Sequence, residues 1–298
     1  VTDEEADQAV LSCIADTDDD TLCFREFFID AQPVQEITLS AFFIDVNEVT
    51  NAAYAECVAS EVCTPPSNVD FFNDAQFADH PVVYVSYQQA NQYCLFAGKR
   101  MVTEAEWEKA ARWDPITGES RVYPWGDIYE PGRANTLSAG QGGTAPVSAF
   151  MNDRSALGLQ GLGGNVREWV SDWYFPNYDD FPGASLVNPT GPATQPLTEP
   201  FRVARGGSWQ DFAFYSRGGH RWDMPPASST PWLGFRCAQT VEGAEPPVVP
   251  TEVPAEEAPA EEEGPVDGPP TAAPPEETPT NGGDDAPTDE GGGDEGTP

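Results

Sequence analysis

The chain has 298 residues, with fourteen Lys and Arg against fifty Asp and Glu, for a formal net charge of −36. It offers no basic stripe to displace counterions from phosphates, and anionic membranes repel it, so neither nucleic acid nor a lipid surface is expected as a partner. Eight Trp, sixteen Phe and nine Tyr within a 39% hydrophobic composition supply material for one large core or two small ones.

Only Lys99 and Lys109 are lysines. The remaining basic residues are Arg, which suits bidentate and partly buried ion pairs, and most of them are read as structural staples. No apolar run is long enough to span a bilayer, so membrane insertion is not expected. Val1 opens the sequence without an initiator Met, which is compatible with a removed signal peptide. The six Cys include no C-x-x-C spacing, and His80 and His220 are the two His, which argues against structural zinc. Three disulfides and an extracytoplasmic place (secreted, periplasmic or cell surface) are the simplest account.

Residues 1–23 form an acidic N-terminal segment in which Val10, Leu11 and Ile14 suggest one helical turn and Cys13 is close enough to pair with Cys23. A single folded domain is expected over residues 24–240. Within it, Ile37 to Phe43 begins with apolar–polar alternation and reads as a strand. Thr50 can cap a helix over 51–59, with Cys57 and Cys63 stapling its end. Ser86 can cap a second helix over 87–96. Thr103-Glu104-Ala105-Glu106 is a capping box, and the third helix continues through Trp107 to Trp113, with Glu108 and Arg112 spaced i, i+4 on its exposed face. Beyond Trp113, Gly and Pro are frequent, and short strands are expected at 166–170, 202–208 and 233–238. From Val241 to Pro298 the chain lacks Lys, Arg and aromatic residues and carries about half of the net charge. Such a stretch buries too little apolar surface to offset its ordering entropy, so a disordered acidic tail is expected.

An ordered series of motifs then points to a family. It opens with Phe43-Ile44-Asp45 and Glu48-Val49-Thr50-Asn51, then Pro81-Val82-Val83 and Val85-Ser86-Tyr87. Tyr93-Cys94, Ala97-Gly98-Lys99-Arg100, Thr103 to Glu108 and Ala110-Ala111-Arg112 follow. Tyr123-Pro124-Trp125-Gly126, Ala134-Asn135, Pro146-Val147 and Gly158-Leu159 come next. The series closes with Gly163-Gly164-Asn165-Val166-Arg167-Glu168-Trp169, Ser171 to Tyr174, Arg205-Gly206-Gly207-Ser208-Trp209, Arg217-x-x-x-Arg221 and Gly234-Phe235-Arg236-Cys237. The set resembles the formylglycine-generating enzyme, or sulfatase-modifying factor, family over nearly the whole domain. The resemblance implies an α+β fold related to C-type lectins with little regular secondary structure. It also implies a Cys94–Cys237 disulfide.

Enzymes of that family oxidise a sulfatase cysteine to formylglycine, using a cysteine pair that binds copper(I) just beyond the Gly-Gly-Ser motif. Here that stretch, Gln210 to Ser216, holds no Cys and is shortened; Asp211 and Ser216 stand nearest the two cysteine positions. Copper(I) is soft and prefers sulfur, so copper and formylglycine oxidase activity are not expected. An iron-dependent oxidase branch needs a His cluster. His80 and His220, even with Asp211 or Asp223, make a poor iron site. Calcium is the cofactor that the resemblance favours. The carbonyls of Gly164 and Val166 and the carboxylate of Glu168 match one family site, where Gly161 replaces a side-chain ligand. Asn135 and the Thr136 carbonyl match part of another. The bland alternative pairs Glu168 with an Arg and leaves Asn135 capping a turn.

The reading adopted is a catalytically inactive member, a pseudoenzyme, that binds a protein, peptide or glycan. Its cleft would be lined by Ser208, Trp209, Asp211, Tyr215, Arg217, His220, Arg221 and Trp222, and a monomer is expected. Alternatives are a metal-dependent oxidase of the same superfamily or a structural envelope protein whose tail serves as a spacer.

Overall fold

A computed structural model describes residues 1–29, 31–176, 185–192 and 200–244. The expected acidic tail, from residue 245 onward, lies outside the described residues.

Among the described residues, four α-helices form where capping residues initiate them. Thr2 caps α1 (Asp3–Thr17) and Thr50 caps α2 (Asn51–Ala59), while Ser86 and Thr103 open α3 (Tyr87–Phe96) and α4 (Glu104–Arg112). In each case the hydroxyl accepts a free backbone N–H of the first turn, and Glu5, Gln89 and Glu106 complete reciprocal boxes. The N-terminal segment departs from the single turn expected of it: α1 runs for 15 residues and buries Ala6, Ala9 and Cys13. Its small buried residues gave a weak apolar signal, since Ala and Cys contribute little to a hydrophobic stripe.

Three sheets share the strands. β1 (Phe42–Ile44) and β2 (Arg100–Met101) flank β9 (Cys237–Thr240), both antiparallel to it. β3 (Trp113–Asp114) and β4 (Glu119–Ser120) make a small hairpin. The central sheet has the order β7 (Arg221–Met224), β6 (Arg202–Arg205), β5 (Arg167–Trp173), β8 (Leu233–Phe235), with β8 parallel to β5. The expected strand at 37–43 is shorter: Thr38 makes only an isolated bridge to Val187, and regular pairing begins at Phe42. The expected strand at 233–238 breaks at Arg236, whose side chain turns into the core, so that β8 and β9 join different sheets. Helix α4 ends at Arg112, because Trp113 adopts extended backbone and starts β3.

Three apolar clusters hold these layers. The largest gathers Tyr54, Val82, Val85, Trp169, Leu233 and Phe235 around the Cys94–Cys237 disulfide. Each fully buried Leu or Phe there contributes about 1.5–3 kcal/mol. The second packs Trp107, Ala110 and Ala111 of α4 on Val170 and Val203 of the central sheet. The third joins Ala6, Ala9, Cys13, Cys23 and Phe28 to Phe214. Cys13–Cys23 and Cys57–Cys63 are the other two disulfides, and among the described residues no cysteine is free. Three bridges suit an oxidising, extracytoplasmic environment. No helix of the described residues is long and apolar enough to cross a membrane.

Candidate functional site

Strand β6 ends at Arg205, and the next residues cannot carry side chains. Gly206 has φ +80°, and a β-carbon on it would lie 2.9 Å from the Leu162 carbonyl oxygen. A β-carbon on Gly207 would lie 2.8 Å from the Gly163 carbonyl oxygen. The two glycines therefore let this turn press on the 162–165 loop, as close backbone approach requires. That contact delivers Ser208 to Asp211, whose carboxylate accepts the Ser208 hydroxyl at 2.7 Å.

Asp211 is also forked by Arg167 of β5, at 2.9 and 2.5 Å. The Arg167 guanidinium stacks 3.3 Å from the Trp222 ring centre and 4.3 Å from that of Trp232. The indole N–H of Trp209 donates to the Pro231 carbonyl, and that of Trp222 to the Gly206 carbonyl. Trp222 and Trp232 remain half-buried against the buried Arg167–Asp211 pair, and Trp209, next to Ser208 in sequence, is half-buried as well. Such stacking is worth about 0.5–2 kcal/mol per cation–aromatic contact.

The residues expected to line one cleft fall into separate settings. Ser208, Asp211 and Trp222 meet at Arg167. Tyr215 stacks on Trp222 and on His220, at 4.6 and 4.8 Å between ring centres. Arg221 instead grips Glu104, donating at 2.7 and 3.0 Å, and Arg205 shares the same carboxylate. Ser208, Asp211, Arg217, His220 and Arg221 are buried, whereas Trp209, Tyr215 and Trp222 are half-buried. Burial lowers the His220 pKa well below its usual value, and Arg167, Arg205, Arg217 and Arg221 add to the effect. Sequence reasoning did not single out Arg167 or Trp232. The signal for Arg167 lay inside Gly163 to Trp169, where an Arg two residues from Asn165 opens a strand that is buried over nearly its whole length.

The buried arginines act as staples. Arg236 forks Glu168 at 2.7 Å through both oxygens and donates to the carbonyls of Asp45, Val46 and Gln160. Trp107 donates its indole N–H to the same Glu168 oxygen at 2.8 Å. Glu108 and Arg112 pair at i, i+4 as expected, but the face is not exposed: Arg112 is buried against α1 through Glu5. Although burial pushes Glu108 up, Arg205 and Arg112 hold it down at about 2.

Donor chemistry decides which metals these residues fit. Copper(I) does not fit: Asp211 and Ser216 present hard oxygens, and Asp211 is already neutralised by Arg167. Calcium fits unevenly. Both Glu168 oxygens are occupied by Arg236 and Trp107, and the Gly164 carbonyl accepts the Val166 N–H. The other set is freer. Asn135 donates its amide to Gly143 and Asn165, and its buried Oδ1 has no hydrogen-bond partner. The neighbouring Thr136 carbonyl accepts the Ala139 N–H. Among the described residues, no three His, Cys, Asp or Glu are grouped so as to hold a metal ion.

Comparison with known proteins places this geometry. The profile of the sulfatase-modifying factor enzyme 1-like domain matches residues 12–241. Serine/threonine-protein kinase Pkn1 of Chlamydia trachomatis serovar L2 is 35% identical over 229 residues, which is 72% of this chain but 35% of that protein. Formylglycine-generating enzyme of Streptomyces coelicolor is 39% identical over 180 residues, covering 55% of this chain and 54% of the enzyme. This chain thus spans about a third to a half of these relatives. The solved structure of PvdO from Pseudomonas aeruginosa superposes with a TM-score of 0.53 at 26% identity, over 67% of this chain and 80% of that one. The chain belongs to the sulfatase-modifying factor, or formylglycine-generating enzyme, family.

Proposed function

We propose that this domain is a secreted binding module that keeps the family fold and has exchanged copper(I) oxidase chemistry for recognition of a peptide or glycan. The observation that carries this reading is the Arg167–Asp211 fork stacked under Trp222 and Trp232. Where the family resemblance calls for a soft thiolate pair, this chain has a neutralised ion pair and a buried hydroxyl. Near it, Trp209, Trp222 and Trp232 are half-buried aromatic surfaces, and the N–H groups of Trp209 and Trp222 are already bonded. Indole faces of this kind bind the apolar face of a sugar or a side chain of a peptide with little loss of conformational entropy. Calcium belongs to the reading as a structural ion near Asn135, where the side-chain oxygen and the Thr136 carbonyl would hold it and water would fill the remaining positions.

The test is binding of the purified chain to glycan and peptide arrays, repeated with Trp222→Ala and Trp209→Ala. Loss of the same ligands in both variants, with the fold intact by circular dichroism, supports the module. Oxygen consumption with a cysteine-containing sulfatase peptide after copper loading would overturn it.

A further inference from the structure

The 213–220 segment is covered by the chain's own N-terminus. Helix α1 and the turn Arg25–Phe28 lie over it: Phe28 meets Phe214 and His220, with ring centres 5.9 and 6.4 Å apart. The Phe214 backbone N–H donates to the Asp16 carboxylate at 2.9 Å. Glu5 pairs with Arg112, and the Glu5 carbonyl accepts from Arg217 at 2.5 Å. The third apolar cluster lies wholly in this contact, with Ala6, Ala9, Cys13, Cys23 and Phe28 on one side and Phe214 on the other.

The surface beneath the cover is cationic and incompletely satisfied. Arg217 is 6% exposed, yet among the described residues no carboxylate pairs with it; its bond is to a backbone carbonyl. A buried guanidinium with no carboxylate in direct contact is costly, and the Glu5 carboxylate, engaged with Arg112, favours its charge only from a distance. The Ser216 hydroxyl and His220 Nε2 are buried without a hydrogen-bond partner. The space left among Phe28, Arg217, Gly219 and His220 is about 10 Å³, at the lower limit for one water. Of these groups, Arg217 and His220 meet Phe28 at that space and call for an occupant that satisfies them better.

We propose that this surface is a docking groove for an acidic, amphipathic peptide helix, and that residues 1–29 occupy it in cis as a displaceable cover. Charge complementarity selects that partner. The cover turns the Glu5 carboxylate and carbonyl and the Asp16 carboxylate to the groove on a helix that buries small residues, and the groove answers with Arg112, Arg217 and the Phe214 N–H; Asp3 and Asp7 pair instead with Arg25 of the cover itself. A tethered segment competes at an effective concentration of about millimolar, so a partner in trans binds only when it satisfies Arg217 and His220 better, or when the cover is weakened. The inference does not depend on the tryptophan face being a ligand site.

The test uses the full chain and a fluorescent synthetic peptide of residues 1–29 with its Cys13–Cys23 bridge closed. In an Asp16→Ala, Phe28→Ala variant, the peptide should bind at least about tenfold more tightly than to the wild type. Reversing Glu5 and Asp16 of the peptide to Lys, or adding Arg217→Met to the protein, should remove that binding. A folded variant that takes up no peptide, or takes up the charge-reversed peptide equally well, overturns the proposal. Hydrogen exchange on the wild-type chain decides the matter should the variant not fold. Amides of α1 exchanging by local opening, well ahead of those of β5, support a displaceable cover, and equal protection overturns it.

Discussion

The carboxylate of Glu48 lies where a β-carbon of Gly161 would stand, with its oxygens 2.6 and 2.7 Å from that position. Gly161 also has φ +74°, which L side chains rarely adopt. Glu48 is buried, and Asn165 donates to one of its oxygens at 2.9 Å. Asn165 in turn bonds Ala145 and Asn135, so the glycine sets the seating of a whole polar centre. Gly161→Ala is expected to destabilise the domain by more than about 1 kcal/mol, since it combines φ strain with displacement of a buried carboxylate. Urea unfolding measures it. An unchanged midpoint would mean that Glu48 can move without cost.

The Arg167–Asp211 fork predicts a non-additive pair of variants. Both side chains are at most 10% exposed. Arg167→Met alone or Asp211→Leu alone leaves one charge buried and unpaired, at a cost of about 3–5 kcal/mol. The double variant removes both charges and should recover most of that loss, because a well-packed apolar pair of similar volume replaces a buried ion pair at little cost. A double-mutant cycle in urea shows the coupling. Additive losses would show that the fork contributes nothing as a pair.

How far the sequence was legible follows from the range of each signal. Helices α2, α3 and α4 announce themselves through Thr50, Ser86 and Thr103, because a cap acts within one turn. The pairing of Cys94 with Cys237 was implied by family resemblance alone, since 143 residues separate them. Arg236 illustrates the opposite case. It sits in a run that reads as one strand, and the tertiary partners of its side chain, Glu168 and the carbonyls of Asp45, Val46 and Gln160, lie where β8 gives way to β9. The cover over Phe214 was illegible for a similar reason. α1 buries Ala and Cys rather than large residues, and its anchors, Glu5 and Asp16, look like any other carboxylates of an acidic chain. The residues read as lining one cleft divide between the Arg167 and Glu104 clusters, and that division depends on contacts that no local pattern encodes.

The disulfides should differ in weight according to the loop each closes. In the chain-entropy account, the Cys94–Cys237 bridge, with a sequence separation of 143, contributes about 5 kcal/mol, and Cys57–Cys63, with a separation of 6, about 2 kcal/mol. Paired Cys→Ser variants compared by urea unfolding at one pH give the ranking. An equal loss for both would favour a local packing origin, since Cys57 and Cys94 are each fully buried in the same apolar cluster.

Asp172 gives a prediction for pH. Burial pushes its pKa up to about 7, and the nearby Glu104 carboxylate adds to the shift, as does Glu106. The Glu104 N–H, at 2.8 Å, and the Ser171 hydroxyl, at 2.8 Å, act in the opposite direction. In the unfolded chain this carboxyl titrates near its ordinary value of 3.8. Between those two values the native state holds a proton that the unfolded state has lost, so stability falls as pH rises through the window and the full cost is present above about pH 7. Glu48 and Asp153, raised to about 8 and about 7, have the same sign. Glu108, held at about 2, has the opposite sign, but its contribution is lost only as pH drops below its ordinary range. The wild-type melting temperature should therefore decline from about pH 5 to pH 8. Asp172→Asn keeps an acceptor for the Glu104 N–H and removes one titration, so its decline should be shallower over that range. An identical slope in the variant would assign the pH dependence to Glu48 and Asp153 and take Asp172 out of it.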